Sequence, residues 1–174
     1  ILVVDFLNYW QHRWSHELKG SLGAFLWRTH AAHHLPQQVY VLMHAAGHPV
    51  NIFVVRGFTN LLPLYLLGAG PETVLIASLV ITLQGLVSHL NLDLRAGWLN
   101  YVFVGTELHR YHHSARLDES KNYAATLSLL DVAFGTFVYQ PGRLPERLGV
   151  QDPGAYPDSN ELWKVMKLPF QLPR

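Results

Sequence analysis

The chain has 174 residues, a formal net charge of +1, 14% charged residues and 49% hydrophobic residues, which is apolar for a soluble domain. Its length predicts a single domain over residues 1–174. Because it contains no cysteine, disulfides, thiolate metal sites and cysteine nucleophiles are excluded. The basic residues are scattered along the chain, so we expect no nucleic-acid partner.

The chain opens on a short apolar run at residues 1–7. This run is too short and too poorly flanked to be a signal peptide. We interpret it as the end of a membrane-spanning helix. We therefore expect the chain to be a fragment that lacks N-terminal transmembrane helices.

Eight of the 11 histidines fall into three tight clusters. Side chains three or four residues apart on a helix project from the same face, so each cluster aims its imidazoles at one point. Neutral imidazole is the commonest metal ligand in proteins. Three such clusters in a short chain predict a metal site. The clusters are His12 and His16; His30, His33 and His34; and His109, His112 and His113.

Residues 49–88 are the most apolar stretch, with Arg56 and Glu72 as its charged side chains. A Gly-Ala-Gly-Pro turn at 68–71 divides it into segments 50–67 and 72–90. Each segment is close to the roughly 20 residues that a membrane-spanning helix needs. We predict a transmembrane hairpin.

The outer ends of this hairpin carry His48 and His89, which would emerge on the side of the three clusters. Only His44 is then left without a role. An alternative is a buried helical hairpin in a soluble protein, because Arg56, Asn60 and Gln84 are costly in lipid unless they face protein.

Basic residues flank the histidine side of the predicted hairpin, whereas its turn has Glu72 nearby. The positive-inside rule then places the metal site on the cytoplasmic face, in a bacterial inner membrane or the endoplasmic reticulum. The expected fold is all-α: an integral membrane helical bundle with a transmembrane hairpin and a cytosolic histidine-rich cap. The Pro- and Gly-rich tail, residues 140–174, is predicted to be irregular.

The order of the motifs resembles the fatty acid hydroxylase/sterol desaturase superfamily over about residues 5–139. The matching motifs are Asp5-x4-Trp10-x-His12-Arg13-x2-His16, Trp27-x2-His30-x2-His33-His34, His48-Pro49, His89-x-Asn91, Leu108-His109-Arg110-x-His112-His113-Ser114, Asn122-Tyr123 and Asp131-x2-Phe134-Gly135-Thr136. Two positions depart from the usual family pattern: Ala124 replaces a glycine and Leu130 replaces a tryptophan.

The resemblance implies a membrane oxidoreductase whose histidines hold two iron ions and which uses dioxygen to hydroxylate or desaturate lipids. Fatty acyl chains, sterols and alkylglycerols are all candidate substrates. No haem-attachment, dinucleotide-binding or iron–sulfur motif occurs, so an external protein is expected to donate the electrons. The implied ligands are His12, His16, His30, His33, His34, His48, His89, His109, His112 and His113.

Beyond these ligands we expect no catalytic residue, and four polar residues are candidates for supporting them. Asp5 lies two helical turns before His12 and is expected to accept a hydrogen bond from a ligand imidazole. Asn91, Asn122 and Asp131 are expected in similar roles, with helix capping as the alternative interpretation.

Two other functions stay open. A zinc-dependent intramembrane hydrolase would need a glutamate just after the first histidine of a motif, and Arg13 and Ala31 stand there instead. Zinc also remains an alternative occupant of the site. The second function is that of a non-enzymatic membrane protein that binds haem or carries metal, although haem needs one or two axial ligands rather than three clusters.

Overall fold

Helices and irregular segments make up the whole of the described chain, residues 1–171 of a computed structural model, and no β-strand occurs there. This confirms the all-α prediction for those residues. The α-helices are α1 (Leu2–Glu17), α2 (Gly20–His34), α3 (Gly57–Leu66), α4 (Pro71–Ser88), α5 (Thr106–His112), α6 (Leu129–Ala133) and α7 (Leu162–Lys167). A π-helix covers Val50–Arg56, and 3₁₀ turns cover Val41–Ala45, Gly97–Tyr101, Pro153–Ala155 and Leu168–Phe170.

A connection of two residues, 18–19, joins α1 to α2 and brings their histidines side by side. Two glycines permit this tight reversal. Gly20 has a φ of +82°, which L-residues with a side chain rarely adopt, and a Cβ at Gly23 would lie 1.8 Å from the Leu18 carbonyl oxygen. The short connection therefore places two histidine clusters against each other.

The predicted hairpin segments are helical, and their details differ from the prediction. Residues 50–56 form a π-helix that continues into α3, which contains Pro63 and ends at Leu66. Helix α4, with 18 residues, is the one helix among residues 1–171 that is long and apolar enough to cross a membrane. The continuous segment Val50–Leu66 is apolar but shorter. The pairing of the two segments as a transmembrane hairpin stays a prediction.

Buried apolar clusters hold the histidine-bearing elements together. Tyr9 of α1 packs with Val104, with Leu108 of α5 and with Tyr123, so α1, α5 and the segment after α5 share one core. Val4, Leu64 and Ala77 form a second cluster between α1, α3 and α4. Burial of these side chains fixes the positions of the helices that carry the histidines.

The tail is less irregular than predicted. Helix α7 lies within it, and Val165 packs against Leu35 and Val150 in a third apolar cluster. Residues 141–157 are rich in Pro and Gly, which predicted an irregular tail. The apolar contact was not predicted, because Leu35 lies far away in sequence. Residues 172–174 of the predicted tail lie outside the described residues.

Candidate metal centre

Nine histidine side chains form two groups. The first histidine group contains His12, His16, His30, His34 and His112, and the second histidine group contains His33, His89, His109 and His113. Within each group the candidate ligand nitrogens all lie within 4.8 Å of one another. Helices α2 and α5 contribute to both groups. The groups are therefore adjacent, and the rings of His34 and His113 stack with centroids 4.3 Å apart.

The Nε2 atoms converge within each group. In the first group, the Nε2 atom of His30 lies 2.9 Å from that of His12 and 3.0 Å from that of His34. The His34 and His112 Nε2 atoms are 3.1 Å apart.

The second group repeats this pattern. The Nε2 atom of His89 lies 3.1 Å from that of His33 and 2.9 Å from that of His109. The His113 and His109 Nε2 atoms are 3.0 Å apart. Both groups thus collect ring nitrogens at the spacing expected of ligands around one ion.

Backbone carbonyls fix the tautomers of four of these rings. The Nδ1 atoms of His33 and His89 lie 3.0 Å from the Ala46 oxygen and 2.6 Å from the Gly85 oxygen. A carbonyl only accepts hydrogen bonds, so each Nδ1 carries the proton and each Nε2 presents a lone pair. The two lone pairs face each other at 3.1 Å with no proton between them.

In the first group, the Nδ1 atoms of His12 and His112 donate to the carbonyl oxygens of Tyr123 and Lys121, at 2.8 and 2.9 Å. These two rings therefore also present bare Nε2 atoms to the group. Lone pairs that converge without a proton repel each other. A bound cation removes that repulsion, so the arrangement fits a metal ion in each group.

Burial keeps these imidazoles neutral. It lowers the pKa of His12 to about 4, partly opposed by the hydrogen bond to the Tyr123 carbonyl. It also lowers the pKa of His112 well below the usual range of histidine. Neutral imidazole is the form that binds metal, so the site is ready for ions at neutral pH.

One buried nitrogen supports the same interpretation. The Nε2 atom of His16 is buried and has no hydrogen-bond partner among the described residues. Such orphaned groups are rare because an unpaired buried polar atom costs about 1–3 kcal/mol. A metal ion in the first histidine group would satisfy it.

His48, expected from the resemblance to be a ligand, lies in neither group. Its Nδ1 atom accepts a hydrogen bond from the Val50 N–H, and its Nε2 atom donates to the carbonyl oxygen of Met166, each at 3.1 Å. Both ring nitrogens are therefore occupied. His48 ties the start of the π-helix to α7 instead of facing the metal centre.

Asp5 contacts no imidazole, in contrast to the expectation from its spacing to His12. Its carboxylate accepts hydrogen bonds from the backbone N–H groups of Ala125, Thr126 and Leu127, at 2.7–3.2 Å. Three adjacent N–H groups outside any helix need acceptors, and this carboxylate supplies them. Asp5 thus supports the segment next to Tyr123, whose carbonyl holds His12.

Asp131 supports the same segment from the other side. Its carboxylate accepts hydrogen bonds from the N–H groups of Tyr123 and Ala124 at 2.7 and 3.1 Å, and from the Thr136 hydroxyl at 2.7 Å. Burial raises the pKa of Asp131 to about 6 despite these hydrogen bonds. Asp131 therefore acts on His12 through the backbone and not by direct contact.

The two asparagines differ in their roles. Asn122 has a φ of +56°, and its side chain donates to the carbonyl oxygens of Leu108 and Val138. It fixes the chain between α5 and the segment that holds His12 and His112. Asn91 is exposed, and its side chain accepts a hydrogen bond from Arg110 rather than from an imidazole.

Backbone groups that orient the rings were not predicted from the sequence. The carbonyls of Ala46, Gly85, Lys121 and Tyr123 accept the four Nδ1 hydrogen bonds. Any residue supplies a carbonyl, so these partners leave no signal in the sequence.

A family model described as fatty acid hydroxylase matches residues 1–136. The chain belongs to the fatty acid hydroxylase family. The family assignment inferred from the motifs is thereby confirmed.

This member of the family is similar to curated proteins from several organisms. It is 34% identical to an ornithine lipid hydroxylase of Rhizobium tropici over 151 residues, which are 86% of this chain and 44% of that protein. It is 27% identical to a very-long-chain aldehyde decarbonylase of Oryza sativa subsp. indica, over 78% of this chain and 49% of the relative. It is 29% identical to a human alkylglycerol monooxygenase, over 78% of this chain and 29% of the relative.

The chain thus spans less than half the length of each of these relatives. No solved structure matches it.

A cavity opens beside both histidine groups of this family member. Its lining includes His12 and His30 of the first group and His33, His89 and His109 of the second. It extends to the π-helix, where Asn51, Ile52 and Arg56 line it. A molecule in this cavity would therefore contact both groups.

His44, which had no role in the sequence analysis, also lines this cavity. Its ring lies 5.7 Å from that of His89 and occupies the space where a Cβ of residue 85 would stand, with Cε1 only 2.0 Å from that position. Gly85 therefore makes room for the His44 ring.

Proposed function

We propose that this chain is a membrane-bound di-iron oxidoreductase that uses dioxygen to hydroxylate or desaturate a lipid C–H bond. The observation that carries the proposal is the pair of adjacent histidine groups, in which nine neutral imidazoles converge through their ring nitrogens. Membership of the fatty acid hydroxylase family supports oxidation of a lipid as the reaction class.

The residues divide into two ligand sets. The five imidazoles of the first histidine group would hold one iron ion, and the four of the second would hold the other. When bound, the two ions supply the redox chemistry with dioxygen that an unactivated C–H bond requires and that acid–base side chains lack. The protein keeps the rings neutral by burial and fixes their orientation through backbone carbonyls.

The proposed ligands differ from those of carboxylate-bridged di-iron bundles, which supply glutamates as well as histidines. Within residues 1–171, both groups consist of histidine alone. Imidazoles are neutral, so the ions would keep most of their positive charge. The site would then favour binding of dioxygen-derived and other anionic ligands.

The hydrolase alternative lacks a necessary group. A zinc hydrolase needs a general base beside the metal-bound water, most often a glutamate. Among the described residues that line the cavity there is neither aspartate nor glutamate.

The exposed surface of α4 supports a bilayer as the surroundings of the chain. Leu75, Ile76, Leu79 and Leu83 of α4 are 51–62% exposed. Contiguous apolar patches of this kind on a protein surface mark contact with a membrane or a partner. The cavity also reaches α4 at Ile81, so an acyl chain could pass from the bilayer toward the histidines.

We further propose an orientation of the chain in the membrane and a source of its electrons. The histidine-rich end lies on the cytoplasmic face under the positive-inside rule. We propose an external protein as the electron donor, because residues 1–174 contain no haem-attachment, dinucleotide-binding or iron–sulfur motif. The lipid hydroxylase and monooxygenase relatives support a lipid substrate.

The test is incorporation of oxygen-18 into lipid by membranes that contain the iron-loaded protein and an added reductase system. We expect a lipid that gains one oxygen-18 atom from dioxygen, or one that loses two hydrogens if the reaction is desaturation. Membranes that contain the His109→Ala variant are the control and should give neither product. Oxygen-18 taken from water with no need for dioxygen would contradict the proposal and indicate hydrolysis.

A further inference from the structure

Arg56 is a charged side chain that lines the cavity and that is not a candidate metal ligand. It ends the π-helix and lines the cavity together with histidines of both groups. Within residues 1–171, its guanidinium makes no hydrogen bond or ion pair, and the cavity lining contains no acidic residue. A positive charge is thus held beside the candidate metal centre without a protein anion to balance it.

The surroundings of Arg56 make its positive charge energetically unfavourable. A guanidinium stays charged at every accessible pH and offers five N–H donors in a planar fork. Arg56 lines the same cavity as His44 and five histidines of the two groups. Bound metal ions would add further positive charge nearby. An anion in the cavity would offset this repulsion.

Two features of the backbone also support a functional role for Arg56. Arg56 lies in the apolar segment Val50–Leu66, and an ionisable residue in such a segment is rare unless it serves a function. It also ends a π-helix, a conformation that is uncommon and concentrated at functional sites.

We propose that Arg56 binds the oxoanion of an acidic lipid substrate, a carboxylate or a phosphate, inside this cavity. This inference rests on the proposed function, because it names the substrate class of the same site. Carboxylate and phosphate both match the guanidinium fork through two parallel hydrogen bonds. Since His30, His33 and His89 line the same cavity, the carbon presented to the metal centre lies near the polar end of the lipid.

The experiment measures binding of three twelve-carbon amphiphiles to the purified, metal-loaded protein in a non-ionic detergent: dodecanoate, dodecyl phosphate and dodecanol. We expect the wild type to bind at least one of the two anions about tenfold more tightly than dodecanol, because a charge-assisted hydrogen bond stabilises the complex by roughly that factor. The anion preferred identifies the oxoanion as carboxylate or phosphate. Arg56→Gln should abolish the preference.

Two further variants control the experiment. Arg95→Gln removes an exposed arginine paired with Asp93 and should keep the full preference. Arg56→Lys keeps the charge without the fork and should keep a reduced preference. Equal binding of the three amphiphiles by the wild type, or a preference that persists in Arg56→Gln, would overturn the proposal.

Metal content, measured on the same samples, separates this inference from the proposed function. Two metal ions per chain without an anion preference would overturn the role of Arg56 alone. An Arg56-dependent preference in protein that cannot bind two ions would support the role of Arg56 in oxoanion binding and contradict the di-iron function.

Discussion

Replacing His112 with alanine is expected to weaken metal binding in the first histidine group and to abolish lipid oxidation. His112 is fully buried, its Nδ1 atom donates to the Lys121 carbonyl, and its Nε2 atom lies 3.1 Å from that of His34. The substitution removes one ligand of the first histidine group and leaves the second group intact. Metal analysis and turnover of the purified variant measure both effects.

His48→Ala is the matched control for this variant. His48 is also a buried imidazole with both nitrogens hydrogen-bonded to backbone, but it lies outside both groups. Both substitutions leave a cavity and should each cost about 2–4 kcal/mol of stability. Only His112→Ala should bind metal more weakly. Wild-type metal affinity in His112→Ala, or weakened metal binding in His48→Ala, would contradict the ligand assignment.

Asp131→Ala is expected to destabilise the fold by about 3–5 kcal/mol and to weaken metal binding in the first histidine group. The fully buried carboxylate accepts three hydrogen bonds, and its removal leaves the N–H groups of Tyr123 and Ala124 and the Thr136 hydroxyl unsatisfied. The Tyr123 carbonyl then loses its fixed position, and with it His12 loses its orientation. Thermal unfolding and metal titration in detergent measure the two losses.

Asp118→Ala serves as the comparison for Asp131→Ala. Asp118 is an exposed aspartate that pairs with Arg116 at 2.7 Å, and exposed pairs contribute at most about 1 kcal/mol. We expect this variant to keep nearly wild-type stability and both metal ions. The proposed role of Asp131 would be wrong if Asp131→Ala unfolded at the same temperature as Asp118→Ala and bound metal equally well.

Local periodicity was sufficient to predict most of the histidine set. Residues such as His12 and His16, or His109 and His113, are one helical turn apart and must share a face whatever the tertiary fold. His89 was found because it ends the apolar segment that became α4. The structure brings these side chains together with their neighbours in the two groups.

The division of the histidines into two groups follows from the different directions in which adjacent helical residues project. Consecutive helical residues point about 100° apart, since a turn has about 3.6 residues. His33 and His34 therefore face different groups, as do His112 and His113. Adjacent histidines in the sequence thus predict two neighbouring sites better than one shared site.

The structure differs from the sequence-based expectation where a side chain has a partner distant in sequence. His48 bonds to Met166, 118 residues away, and Asp5 bonds to the N–H of Leu127, 122 residues away. No local pattern encodes these tertiary contacts. The helical tail segment α7 was missed for the same reason, because its stabilising contact with Leu35 is long-range.

The Mössbauer spectrum of the protein expressed on iron-57, with iron counted against protein, tests the central claim most directly. Five and four histidines in adjacent groups predict two iron ions per chain and the spectrum of a magnetically coupled pair. A single magnetically isolated iron, or zinc with no iron after growth on iron-57, would contradict the di-iron account.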